Sequence, residues 1–226
     1  MYTMTYHGDY AFDEFINQGI TNDDELRTFV RKRLTRGKDT KFNTPDSGCT
    51  VFSTKNETGY ILFARNYDFS YTPSMLVKTN PKNGYRSFSV IDMSFLGFSK
   101  DYLPKSLSSK LPLMAAPYIP ADGMNEKGLA VAILQVPKTN LPSDPNKLTL
   151  NTTAIIRLLL DKAATVDEAV AVFHKYNIYF SQDIYCHYLI ADKSGKSVIV
   201  EYWDSEMHVI EENIASKFLC LQRAYF

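Results

Sequence analysis

GCTVFSTKNETGYILFARNYDF, residues 48–69, is the stretch that decides the fold. Cys49 to Thr54 and Tyr60 to Arg65 are runs rich in β-branched and aromatic residues, and KNETG between them reads as a turn. The pattern predicts a hairpin. Pairing Thr54 with Tyr60 sets Val51 across from Phe63 and Cys49 across from Arg65. One face then carries Val51, Ile61 and Phe63, and the other Phe52, Tyr60 and Leu62. Both faces are apolar, so cover is expected on both sides.

Downstream, Met75 to Thr79 and Tyr85 to Ile91 flank a hairpin turn at Asn83-Gly84. DGMNEKG (122–128) reads as a turn before a buried strand from Leu129 to Val136. Thr152 to Ala163 is apolar nearly all round and suits a buried helix. Thr165 and Glu168 have capping-box spacing and open a second helix to about Tyr176. Tyr188–Ala191, Ser197–Trp203 and Met207–Ile210 then form a meander. Helices, strands, helices, strands in separate blocks point to an α+β fold with antiparallel sheets.

Upstream, six acids and no base occur up to Glu25, and seven bases with one acid occur from Arg27 to Lys41. Acids early and bases late suit a helix dipole. Thr21 or Asn22 can cap a helix to about Thr35, with Leu26, Phe29, Val30 and Leu34 on one stripe and Gly37 as the stop. A shorter helix is expected around Phe12 to Asn17, and 38–47 as an exposed loop.

Composition excludes several functions. With 25 Lys+Arg against 25 Asp+Glu in 226 residues, the net charge is zero, which disfavours nucleic acid as a partner. The longest apolar run, Leu129 to Leu134, is far short of the ~20 residues of a membrane span. No basic start and apolar core mark a signal peptide, so a cytoplasmic location is expected. Cys49, Cys186 and Cys220 include no CxxC pair, and His7, His174, His187 and His208 are scattered, so no metal or other cofactor is expected. His187 beside Cys186 suggests a dyad, but neighbouring strand residues point to opposite faces.

The chemistry centres on Cys49, which begins a strand after Gly48. An arginine near a thiol favours the reactive thiolate, and Asp68 is a carboxylate that can hold an ammonium group. On the residues alone, the favoured reading of Cys49 is a small apolar strand residue, with Arg65 and Asp68 as a structural ion pair.

GCTVF, LFARNYDF, DGMNEKGLAVAILQVP and HYLIADKSGKSVIVEY occur in order, and the sequence from Cys49 to Tyr202 resembles the choloylglycine hydrolase family of conjugated bile salt hydrolases and penicillin V acylases. The resemblance implies an N-terminal nucleophile hydrolase with a four-layer αββα fold. It implies that residues 1–48 are a propeptide-like segment, that 49–226 are the hydrolase domain, and that autocatalytic cleavage falls between Gly48 and Cys49. Cys49 would then be the nucleophile, Arg65 its support and Asp68 the holder of the freed α-amine. Gln135 stands where bile-salt-type members carry an Asn of the oxyanion site, and Asn66 is the other oxyanion or substrate candidate. Tyr67, Phe69 and Tyr71 are candidates for an apolar acyl pocket. The implied partner is a small N-acyl amide, and a homotetramer is the implied assembly.

Members of that family continue beyond the point where this sequence stops, through a TN motif and a later Arg. EENIASKFLCLQRAYF (211–226) has neither: Asn213 comes too early and Arg223 does not match. A C-terminally incomplete domain with exposed sheet edges is therefore expected, and with it the alternative of an inactive fragment.

Overall fold

The structure, a computed structural model, describes residues 1–39, 48–68 and 72–218. Of the expectations above, most of the loop 38–47 and the residues Phe69, Tyr71, Cys220 and Arg223 lie outside the described residues.

The N-terminal segment contributes strand β1 (Tyr2–Thr5) and helices α1 (Phe12–Gln18) and α2 (Asp23–Arg33). The hairpin read from the sequence is β2 (Gly48–Lys55) and β3 (Ile61–Asp68). Strands β4 (Ser74–Thr79), β5 (Ser87–Asp92), β6 (Asp122–Asn125) and β7 (Ala130–Gln135) follow. Next come β8 (Thr149–Asn151), helices α3 (Thr152–Lys162) and α4 (Val166–Lys175), and β9 (Asn177–Tyr179). The meander β10 (Cys186–Ala191), β11 (Ser197–Trp203) and β12 (Glu206–Ile210) leads to β13 (Ile214–Ser216).

Helix boundaries follow the capping chemistry. Asn22 Oδ1 accepts the Glu25 N–H at 3.0 Å, while the Glu25 carboxylate accepts from the Thr21 N–H at 2.8 Å. Asn151 caps α3 through the Ala154 N–H, and Thr165 caps α4 through the Glu168 N–H.

Eight strands form one sheet in the order β1-β4-β5-β6-β7-β10-β11-β12. Every neighbouring pair in it is antiparallel except β1 with β4. A second sheet, β13-β2-β3, lies against it, and β8 pairs with β9. The fold is an α+β sandwich of antiparallel sheets, as the sequence pattern predicts.

The pleat sends alternate residues of the large sheet into two different cores. Val131, Ile190 and Val200 join the four helices in the larger core. Ala132, Leu134, Leu189 and Ile199 meet Cys49, Val51 and Ala215 of the small sheet. Residues 1–39 share the larger core rather than standing apart: Phe15 stacks edge-on against Tyr118 at 4.9 Å, and both are fully buried. Tyr10 also reaches across, its hydroxyl donating to the Asp161 carboxylate that pairs with buried Arg157 on α3.

Two expectations about the hairpin are corrected. Its register is offset by two: Val51 faces Arg65 and Cys49 faces Tyr67. The cause is a tighter turn, closed by the Asn56 N–H to the Tyr60 carbonyl and by Asn56 Oδ1 accepting from the Tyr60 N–H, with Gly59 at φ 89°. The hairpin is also covered on one side only. Phe52 and Leu62 on its outer face are 40% and 47% exposed. The described residues thus supply helices, large sheet and small sheet, and leave the outer surface of the small sheet bare.

Candidate active site

The hairpin carries Cys49 and Arg65 on the same face, because an offset of two residues preserves the side-chain alternation. Arg65 is the diagonal neighbour of Cys49, and its long side chain closes the gap. Its Nη2 donates to Cys49 Sγ at 3.3 Å, while Nη1 pairs with Asp122 at 2.9 Å. Both Cys49 and Arg65 are withdrawn from solvent. The guanidinium carbon lies 4.6 Å from the centre of the Tyr67 ring, a cation–π arrangement. The Tyr67 hydroxyl donates to Asp92 at 3.3 Å, and Asp92 also accepts from Thr72 Oγ1 and the Ser94 N–H.

Burial works against the charge on Arg65, but Asp122 and Cys49 outweigh it and hold the guanidinium protonated. Burial pushes the Asp122 carboxyl up, and Arg65 pulls against that shift. Burial, reinforced by Asp92, raises the Tyr67 phenol far above its usual range, so it remains a neutral donor. The result is a fixed positive charge in hydrogen-bond contact with a buried sulfur.

Asp122 and Asp92 were not among the candidates read from the sequence. Asp122 was hidden in DGMNEKG, read there as a turn; its first four residues are strand β6, and the turn is confined to Asn125–Gly128. Asp92 carried a usable signal, an acid closing the apolar strand SFSVID.

The other candidates are placed apart from the sulfur. Asp68 ends β3 as the register partner of Gly48, beside the Gly48–Cys49 peptide, but its exposed side chain accepts from Asn66 Nδ2 at 2.7 Å. Asn66, across from Thr50, shares that outer face. Gln135 ends β7 and pairs with Cys186. Alternation puts it on the side of Val131 and Ile133, not on the side of Ala132 and Leu134 that packs against Cys49. Cys186 is buried, which pushes its thiol up to about 12 and keeps it a neutral packing group. His187 points away from it and meets Glu201 at 3.2 Å.

A family model described as linear amide C-N hydrolases, choloylglycine hydrolase family, matches residues 49–217. The chain belongs to that family. The match begins at Cys49 itself. Among curated proteins, the chain is 28% identical over 181 residues to a bile salt hydrolase/transferase of Clostridium perfringens, covering 74% of this chain and 51% of that protein. It therefore spans about half the length of that relative. Among solved structures, a mutant conjugated bile acid hydrolase from Clostridium perfringens superposes with a TM-score of 0.52 at 22% identity, over 74% of this chain and 52% of the other. A penicillin V acylase from Agrobacterium tumefaciens gives 0.46 at 20% identity, over 82% and 50%. The first of these likenesses bears on the fold alone. As a member of the choloylglycine hydrolase family, the chain has relatives that hydrolyse linear amides. Among its described residues, no helix is long and apolar enough to cross a membrane, and no cluster of His, Cys, Asp and Glu could hold a metal ion.

Proposed function

We propose that this chain is a cysteine amidase of linear N-acyl amides, such as conjugated bile salts or penicillin V, that activates itself by cutting after Gly48. The observation that carries the reading is the Arg65 guanidinium on the buried sulfur of Cys49, at the residue where the family match begins. In maturation, Cys49 Sγ attacks the Gly48 carbonyl carbon, the Gly48–Cys49 amide becomes a thioester, and water hydrolyses it. The products are a carboxylate on Gly48 and a free α-amine and thiol on Cys49. That amine, with an ordinary pKa of about 8, takes the thiol proton in each turnover and passes it to the departing amine of the substrate. The acyl group remains on sulfur until water releases it as a carboxylic acid. Asp68, the register partner of Gly48, is the carboxylate available to the new amine. Arg65 is the positioning charge, and Gln135 and Asn66 are the candidate oxyanion donors.

A second reading, an inactive fragment, is favoured by a specific observation: Gln135 and Asn66 both lie on faces turned from Cys49. The test is the mass of the purified protein together with turnover of a panel of N-acyl amides. Wild type should yield a chain starting at Cys49, and Cys49→Ala should remain an intact 25.8 kDa chain. A new N-terminus at residue 49 in Cys49→Ala would refute self-cleavage. A correctly cut protein that turns over none of the amides would refute the activity.

A further inference from the structure

The Arg65 side chain is only 9% exposed, and two of its three nitrogens have partners. Nη2 donates to Cys49 Sγ at 3.3 Å, and Nη1 pairs with Asp122 at 2.9 Å. Nε is buried and has no partner among the described residues. An unpaired donor on a buried cation is costly, and one that persists asks for a reason. Its direction supplies one. In a guanidinium, Nε–H and Nη2 share the edge turned away from Cδ and point in parallel. The edge that holds the sulfur therefore carries a second N–H beside it.

A tetrahedral intermediate has the missing acceptor. When Sγ attacks a carbonyl carbon, an S–C bond forms and the π pair of the C=O moves onto oxygen. That oxygen is one carbon away from the atom that Nη2 already holds. Sulfur and oxygen then lie side by side, like the two oxygens of a carboxylate, the arrangement that an arginine edge fits. Collapse returns the pair to the C=O, breaks the C–N bond and sends the thiol proton to the departing nitrogen. Gln135 and Asn66, on faces turned from Cys49, leave this place open.

The plane of the guanidinium is set by Tyr67, the register partner of Cys49. Its ring centre lies 4.6 Å from the guanidinium carbon. Its hydroxyl donates at 3.3 Å to Asp92, which is 2% exposed and is itself held by Thr72 Oγ1 and the Ser94 N–H, each at 2.8 Å. Asp122 fixes where the guanidinium points, and the anchored ring fixes how it is turned.

We infer that the Arg65 Nε–H is the oxyanion donor of this site, and that Tyr67, anchored by Asp92, is the positioning residue that turns it to the reacting carbon. The inference rests on the amidase reading above and deepens it by placing the developing negative charge.

The experiment offers the full chain acetaldehyde, isotope-labelled at its carbonyl. NMR reads the thiohemiacetal on Cys49, assigned by its loss in Cys49→Ala. Arg65→Lys keeps a cation near the sulfur and removes the edge. Adduct affinity should fall about tenfold or more, while iodoacetamide reaction slows by no more than about threefold. Tyr67→Leu should lower adduct affinity about tenfold, and Tyr67→Phe, which keeps the ring, only about threefold. Asp92→Ala should match Tyr67→Phe and add nothing to it in the double variant. Melting temperatures are measured alongside, since loss of packing alone lowers stability without changing adduct affinity per folded molecule. Unchanged affinity in Arg65→Lys overturns the oxyanion assignment, as does a wild type that forms no adduct. Unchanged affinity in Tyr67→Leu, or full additivity of Tyr67→Phe with Asp92→Ala, overturns the positioning role. Self-cleavage is followed by mass in the same samples. A wild type whose adduct depends on Arg65 but that stays uncut upholds the inference and overturns self-cleavage. A wild type that cuts, with Arg65→Lys cutting and binding equally well, does the reverse.

Discussion

On the helical face of the large sheet, aromatic and aliphatic side chains from every part of the chain form one continuous core. Phe12, Phe15 and Phe29 of the N-terminal helices meet Tyr118, and α3 is buried on nearly all sides. On the opposite face a smaller apolar cluster lies under the hairpin, and one edge of it carries a cation, two carboxylates and a thiol within a few ångströms. The first face is filled by shape and volume, so it tolerates little loss of atoms. The second is held by directed charge contacts, so it tolerates little loss of geometry. The larger core is on one side of the sheet and the candidate site on the other.

Four variants break or sharpen that contrast, taken from the largest effect to the smallest. Phe15→Ala empties a fully buried site in the helical core and should lower stability by about 3–5 kcal/mol in chemical denaturation, while thiol alkylation per folded molecule stays unchanged. Arg65→Gln, made with Asp122→Asn so that no buried carboxylate loses its cation, should do the opposite. A charge-assisted hydrogen bond contributes about 1.5–3 kcal/mol, so iodoacetamide reaction with Cys49 should slow by about tenfold or more, with only a modest change in melting temperature. An unchanged alkylation rate would make Arg65 a structural residue.

Asp192 tests the helical side by pH. Burial alone would raise its carboxyl, but hydrogen bonds from Ser194 and the Val166 N–H outweigh it and hold the folded value low. The stability it contributes is therefore present above the unfolded value of about 3.9 and is lost as pH falls through the lower folded value. Asp192→Asn should cost about 1 kcal/mol at neutral pH and flatten the acid limb of a stability–pH curve. Last, Phe52→Thr on the bare outer face should change stability by less than about 0.5 kcal/mol and lower the tendency to associate, measured by light scattering. A loss of several kcal/mol would mean that this face is covered in solution.

The legibility of the sequence differed between the two sides in the same way. Two helix starts were readable because Asn22 and Thr165 satisfy local backbone donors and need no distant partner; the Asn151 cap of α3 was not read. The α+β class followed from separate blocks of period. The hairpin was readable, but its pairing was not, because Asn56 closes the turn with its own side chain and shifts every partner by two. The Cys49–Arg65 neighbourhood survived that error because two is an even number. Asp122 could not be found by spacing, since it comes from a strand across the interface between sheets. Likewise β1 was missed: its partner β4 begins far along the chain, Tyr2 opposite Met75, and four residues carry too little pattern to announce it. Nothing local marks Asp23 and Leu26 as neighbours of Gln182 and Ile133, because only the tertiary fold brings them to one cavity.

The nine buried apolar residues that the first 39 positions place in the helical core change what cutting the chain at Gly48 means. Before the cut, unfolding and refolding are unimolecular, and the segment is always at hand. After it, the same core is shared by two polypeptides, and refolding becomes a bimolecular encounter whose yield depends on dilution. The cut protein is then expected to retain the segment through gel filtration in native buffer, yet to lose it permanently after one cycle of denaturation at low concentration. Its midpoint would rise with protein concentration, whereas that of uncut Cys49→Ala would not. Maturation of this kind would write the history of the chain into its reversibility: a protein that folds freely once, and afterwards persists only for as long as it stays folded.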